Sequence, residues 1–375
     1  MCGRHRRGIV VAAFCTVNAI ACAPAHQPGP AGQELDWPVY LGTPRHDQAA
    51  AERLNPDPRL LWRTDVGRAV RGAPALGETV IAVGVAERVV VLLDRGSGEP
   101  LWRLRVNGPI HSGPLLDGDR LYVATERPGG SVHAVRLRDG RRLWSQRVGS
   151  VVAPLAFDGE ELYAGTESGR VIRLDRESGR PVWRAELGAA VRAAPVATTQ
   201  GVLAATTRDT LYLLDRPTGA VRARVATAGS VLATPALGQG RLFLATSRGH
   251  VAAVSLPDLA VVWELEAGDA VYGAPALVGD TLYVLARDGR LFIIPVDSPR
   301  AARVLDLDIT AVAGPTPTAS GVLVASVTGE VLLIDPITGG VRWRAQLDGP
   351  VEQPPLVRDR QLVVIGGRGD IHAYR

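Results

Sequence analysis

Nucleophiles, metal ligands and general bases are thinly spread in this sequence. Its three cysteines, Cys2, Cys15 and Cys22, all fall in the first 22 of 375 residues. The body of the chain therefore has no disulfide, no thiolate metal site and no C-x-x-C-H haem attachment. His111, His133, His250 and His372 lie far apart and lack ligand spacing. No G-x-S-x-G nucleophile motif occurs, and no loop gathers the carboxylates and amides that a calcium ion needs. The conspicuous aspartates recur in one setting: DRGSG at 94–98, DRESG at 175–179, DRPTG at 215–219 and DPITG at 335–339. An Asp there accepts hydrogen bonds from turn amides and the Gly supplies a positive φ, so these carboxylates are read as structural. One set of residues remains. Three positions ahead of a recurrent proline stand Arg71, His111, Val151, Arg192, Leu232, Tyr272, Val312 and Glu352. Facing a common axis, Arg71, His111, Arg192, Tyr272 and Glu352 form a candidate polar ring for a small ligand; the alternative is a water-filled tunnel with solvated charges.

The elements that would position this ring are set by a repeat. Trp62, Trp102, Trp183, Trp263 and Trp343 each precede a proline by twelve residues, at Pro74, Pro114, Pro195, Pro275 and Pro355, and Trp144 precedes Pro154 by ten. Two copies lack the tryptophan, and Arg222 and Arg303 align there, ahead of Pro235 and Pro315. A fixed period near 40 residues is the mark of a repeat architecture. Within residues 149–188, SVVAPLA (150–156) reads as a first strand and ELYAG (161–165) as a second. RVIRLD (170–175) and PVWRAEL (181–187) read as the third and fourth, with loops of two to five residues. Such a meander cannot cover both of its faces alone. Radial stacking covers both, so the pattern predicts an all-β fold: an eight-bladed β-propeller of four-stranded antiparallel blades. The strand at 60–66 has no partners before it, and the unit from Pro354 to Arg375 lacks a fourth strand. Joining the two closes the ring, and the tryptophans are read as inter-blade core rather than as a ligand-stacking surface.

Composition supports this and narrows the function. Apolar residues make up 46% of the chain and aromatics 5%, which favours strands packed through Val, Leu and Ala. The formal charge is +4, but Arg4, Arg6 and Arg7 precede residue 22, and the remaining arginines are scattered over every repeat. No basic stripe marks a nucleic-acid partner. Residues 1–21 read as an export signal, with a basic start and an apolar stretch from Gly8 to Val17 too short to span a bilayer. Plain signal-peptidase cleavage after Ala19-Ile20-Ala21 would leave Cys22 as a free thiol. Residues 22–57 read as a linker and lead-in, and 58–375 as the propeller.

Two resemblances sharpen the picture. Ala19-Ile20-Ala21-Cys22 resembles a bacterial lipoprotein signal, which implies lipid attachment at Cys22 and a place at the cell envelope, on the periplasmic face of the outer membrane. The segment DWPVYLGTPRHD (36–47) resembles the lead-in of pyrroloquinoline-quinone-like propellers. The D-x-x-[ST]-G…W…G…P repeats from Pro58 to Arg375 resemble that superfamily as a whole. Within it the layout is similar to the BamB family of outer-membrane protein assembly factors. That likeness implies a non-catalytic scaffold, monomeric within a complex, that binds a β-barrel assembly machine and needs no cofactor. The competing members of the superfamily are quinoprotein dehydrogenases, which carry insertions between blades and an adjacent-cysteine pair; the regular spacing and the absence of body cysteines speak against that reading. A ligand sensor built on the channel ring is the third reading.

Overall fold

Second and third strands carry unbroken apolar runs such as VIAVGV (Val80–Val85) and VVVLLD (Val89–Asp94), buried along nearly their whole length. A strand covered on both faces has this composition. Fourth strands alternate instead: in Pro100–Arg105 the outward side chains are exposed while Trp102 and Leu104 turn toward the neighbouring sheet. The computed structural model describes residues 50–67 and 69–375, and it assembles these strands as the sequence predicts. There are eight four-stranded antiparallel sheets. Blades 1 to 7 take residues 75–105, 115–147, 156–186, 196–226, 236–266, 276–306 and 316–346 in sequence order. Blade 8 is composite: Leu356–Arg358, Gln361–Ile365 and Asp370–Tyr374 are completed by Leu60–Asp65 from the other end of the chain. Its seam is fastened by Arg59 N to Arg375 O and Arg375 N to Arg59 O, both 2.9 Å. The leader, Cys22 and the lead-in at 36–47 lie outside the described residues.

The first strands are shorter than expected. In blade 3 only Ala156–Phe157 pairs as a strand, because the residues ahead of the proline spend their backbone groups elsewhere. Ser150 O accepts from Glu167 N in its own blade at 2.9 Å, and Val151 N donates to Thr125 O of blade 2 at 3.3 Å. The segment between blades is thereby stitched to both of its neighbours.

Eight apolar clusters fill the eight blade interfaces, one each. The tryptophans sit in them by a common rule. Each indole N–H of Trp62, Trp102, Trp144, Trp183, Trp263 and Trp343 donates to a backbone carbonyl of the next blade, at 2.7–3.1 Å. At Trp62, Trp102, Trp144 and Trp183 the ring then covers the turn glycine that follows, Gly98, Gly140, Gly179 and Gly219. A Cβ added to Gly219 would sit 2.6 Å from the Trp183 ring, and Gly219 has φ +75°, so glycine is required there twice over. Of the two copies without tryptophan, Arg303 keeps the alignment and the bond, donating to Pro336 O at 3.1 Å. Arg222 does not. Strand pairing sets Ala223 opposite Leu213, as Trp183 is set opposite Arg173, and Arg222 falls in the bulge beside it. Leu259, at a position equivalent to the turn glycine, is 2% exposed and packs in the same cluster as Ala223.

Candidate channel mouth

The ring positions follow a buried Val or Ile and precede a proline by three; the two residues between are small at Arg71, His111, Arg192 and Tyr272, and are Gln353-Pro354 at Glu352. The Val before the ring position is an anchor: Val70, Ile110, Val191, Val231 and Val351 are all buried to 2% exposure or less. The two small residues after it let neighbouring inner walls touch. A Cβ on Gly113 would stand 2.6 Å from Ala73 O, and one on Gly72 would collide with the Ser112 backbone. With anchor and wall thus fixed, the side chain between them points away from the packed interface. Blade 3 has one residue fewer here. Its Val151 is fully buried and acts as the anchor, so half-buried Val152, not Val151, takes the ring position.

Two of the five polar ring residues, Arg71 and Arg192, are neutralised by carboxylates, and a third, His111, contacts one. Arg71 Nη1 lies 3.2 Å from Glu352 Oε2, so these two ring members pair with each other across the seam between blades 1 and 8. Gln353 Nε2 donates to Arg71 O at 2.6 Å in support. Arg192 donates through Nε and Nη2 to Glu167, at 3.0 and 3.1 Å, and this carboxylate raises the Arg192 pKa above its ordinary value. His111 Nδ1 closes on Glu126 Oε1. Tyr272 stands 40% exposed. The sequence reading missed Glu126 and Glu167. Each follows a buried threonine at the end of a second strand, in Thr125-Glu126 and Thr166-Glu167, and that shared setting was the available signal.

Chemically, both ring arginines stand in matched ion pairs. A ligand binding Arg71 or Arg192 would have to displace Glu352 or Glu167. Among the other described histidines, His133 is structural. His133 is fully buried, and its Nε2 meets Asn107 Oδ1 at 2.8 Å. Burial pushes its pKa down to about 4, so it is neutral at physiological pH. Among the described residues no group of three or more His, Cys, Asp or Glu is placed to hold a metal ion, and no helix is long and apolar enough to cross a membrane.

Comparison with known proteins adds three findings. A family model described as outer membrane protein assembly factor BamB matches residues 49–192, 167–301 and 300–375. Curated BamB proteins are similar over parts of the chain. The one from Yersinia pestis is 25% identical over 169 residues, 40% of this chain and 42% of its own length. The one from Bordetella pertussis is 31% identical over 184 residues, 48% and 43% respectively. These matches thus span less than half of each relative. Among solved structures, BamB from Moraxella catarrhalis superposes with a TM-score of 0.74 at 18% identity, covering 85% of this chain and 99% of that one. The quinohemoprotein alcohol dehydrogenase ADHIIG from Pseudomonas putida HK5 gives 0.71 at 12% identity, covering 91% and 80%. At such identities the superpositions speak for the fold alone.

Proposed function

The chain belongs to the family of the outer membrane protein assembly factor BamB, and from that premise we propose that it is a non-catalytic scaffold in the assembly and insertion of outer-membrane β-barrel proteins. The observation that carries this reading is the family match, which runs from residue 49 to residue 375 across every blade. The matched ion pairs at the channel mouth accord with it, since Arg71 and Arg192 already have carboxylate partners. In this reading residues 1–21 are an export signal, Cys22 carries the lipid that holds the protein at the periplasmic face of the outer membrane, and the propeller from 58 onward works as one monomer inside a larger complex. The partner is a protein, met through loops on one face of the ring, because blade interiors are committed to packing.

Crosslinking in intact cells, followed by purification from detergent-solubilised membranes, tests it. Recovery of a β-barrel insertase with the crosslinked chain is the expected result. Its absence, from cells in which the chain is abundant and acylated at Cys22, overturns the reading. A second reading, a small-ligand sensor at the channel mouth, draws on the exposure of Tyr272, a polar ring member for which no carboxylate partner is seen among the described residues. Arg71→Ala with Arg192→Ala would then abolish a ligand-induced melting shift and leave insertase recovery intact.

A further inference from the structure

The arginines look scattered in sequence, but the fold gathers some of them on the outer rim. Fourth strands are the edges of the blades, and their outward positions differ from blade to blade. Blade 1 presents Leu101, Arg103 and Arg105, and blade 2 presents Arg142, Leu143 and Arg147. Leu101 is 54% exposed and Leu143 36%. The two rims are continuous: Arg142 Nη2 reaches across to Arg105 O of the neighbouring blade at 3.3 Å. None of these four arginines has a carboxylate partner among the described residues, whereas on blades 7 and 8 the rim arginines Arg344 and Arg63 are paired with Glu330 and Asp348. Protection of an exposed strand edge needs charge of either sign. Blade 5 meets that need with Glu264 and Glu266 beside Val261 and Val262. Edge protection therefore accounts for charge on blades 1 and 2, but not for unpaired charge of one sign set beside the larger leucines.

We propose that the rim of blades 1 and 2 is a peripheral contact surface for anionic phospholipid. Unpaired guanidiniums recognise phosphate through forked hydrogen bonds. Leucines that already stand in water gain by entering the boundary between headgroups and acyl chains, and basic residues add attraction to an anionic leaflet. The acidic rim of blade 5 lies on the far side of the ring and would be repelled by the same surface. This contact is independent of the assembly role proposed above, because it needs neither the channel mouth nor a protein partner.

The test is vesicle flotation of the exported chain carrying Cys22→Ser, so that no acyl group contributes. Vesicles are either phosphatidylcholine alone or phosphatidylcholine with about one third phosphatidylglycerol. The expected result is flotation with the anionic vesicles only, weakened by salt. Each of Arg103→Gln, Arg105→Gln and Arg147→Gln should lower the partition coefficient about fivefold, the factor corresponding to one basic residue near such a surface. Leu101→Ser with Leu143→Ser should lower it further, and Glu264→Gln with Glu266→Gln should not lower it. All these positions are exposed, and melting curves of the variants verify that folding is retained. No flotation, flotation unchanged by the rim substitutions, or equal binding to neutral vesicles overturns the proposal. So does rim-dependent capture by polyglutamate without any vesicle binding, which would assign the surface to an acidic polypeptide instead.

Discussion

Ala223 and Leu259 exchange what Trp183 and Gly219 do one blade earlier. Where the ring is missing, the turn residue that would have collided with it has grown into the space: Leu259 is 2% exposed and has φ +57°, a conformation that costs a branched side chain energy. The two positions should therefore be coupled. Ala223→Trp alone overpacks the interface, by about 1–3 kcal/mol. Leu259→Gly alone opens a cavity, at a cost of about 2–5 kcal/mol. Together they rebuild the Trp-on-Gly arrangement, so their coupling energy should be favourable by about 1–3 kcal/mol. Urea unfolding of the two single variants and the double variant measures this, and strict additivity would show that the positions do not share the space. In a blade with the usual pair, Trp183→Ala should cost about 3–5 kcal/mol by the same measurement. The Trp-to-Pro spacing was visible in sequence because the indole hydrogen bond recurs at all six described tryptophans. Arg222 was mistaken for the missing tryptophan because Ala223, the residue twelve before Pro235, has no aromatic ring to mark the position, and the same bulge runs through the Trp-bearing blades.

The closing strand is the element on which the ring depends, and its partner strand holds an unusual buried pair. In blades 3, 5 and 7 a hydroxyl at the end of the second strand accepts the amide four residues on, as in Arg170 N to Thr166 Oγ1 at 2.9 Å and Glu330 N to Ser326 Oγ at 3.0 Å. Blade 8 has Gly366 there, and the Asp370 carboxylate fills the vacated space. His372 Nε2 is 3.4 Å from it, and each side chain is 7% exposed. Burial pushes the His372 pKa below its ordinary value, with Arg63 across the seam acting the same way and Asp370 and Asp348 opposing; Tyr374 OH meets its Nδ1 at 3.2 Å. The folded state is then the weaker proton binder. Stability is full above the unfolded pKa of about 6.5 and falls as pH drops below it, toward the lower folded value. His133 has the same sign, with its window running down to about 4, but it lies inside blade 2. Hydrogen-exchange protection factors, corrected for the intrinsic pH dependence of exchange, should therefore fall at pH 5 relative to pH 7.5 in Leu60–Asp65 and Asp370–Tyr374, and His372→Gln should remove that local effect while His133→Gln leaves it. An equal fall in protection in every blade would place the acid sensitivity elsewhere. Composite closure itself was legible in sequence, since strand 60–66 had no partner and the last unit lacked one. Side-chain burial at the seam was not, because it follows from Gly366, a residue whose sequence context reads as an ordinary turn.

At the scale of the whole molecule, each interface has its own apolar cluster, and seven of the eight blades are continuous in the chain. The eighth interface has a further fastening that the sequence reading had assigned to a linker. Residues ahead of the closing strand lie across the outer ends of the innermost strands of blades 7 and 8. Glu52 O accepts from Ala319 N at 2.9 Å, and the Glu52 carboxylate accepts from Asp359 N and Arg360 N, both at 3.0 Å. Those two amides belong to residues with positive φ, a tight turn that directs them outward. Leu54 is 6% exposed inside the cluster between blades 7 and 8, and Pro58 O takes the Trp343 indole that every other blade would direct to a continuous turn. The strap thus replaces the covalent connection that blade 8 lacks. It was hidden in sequence because a single leucine among prolines and charges has no period to detect. Glu52→Ala with Leu54→Ala should destabilise the ring by about 2–5 kcal/mol, mostly from the buried leucine. It should also speed exchange at the amides of Ala319, Asp359 and Arg360. Arg71 and Arg192 precede the innermost strands of blades 1 and 4, away from the strap, so exchange near them should change only through global unfolding. Loss of protection spread evenly around the ring, or none at the three named amides, would mean that closure rests on the Leu60–Asp65 strand alone.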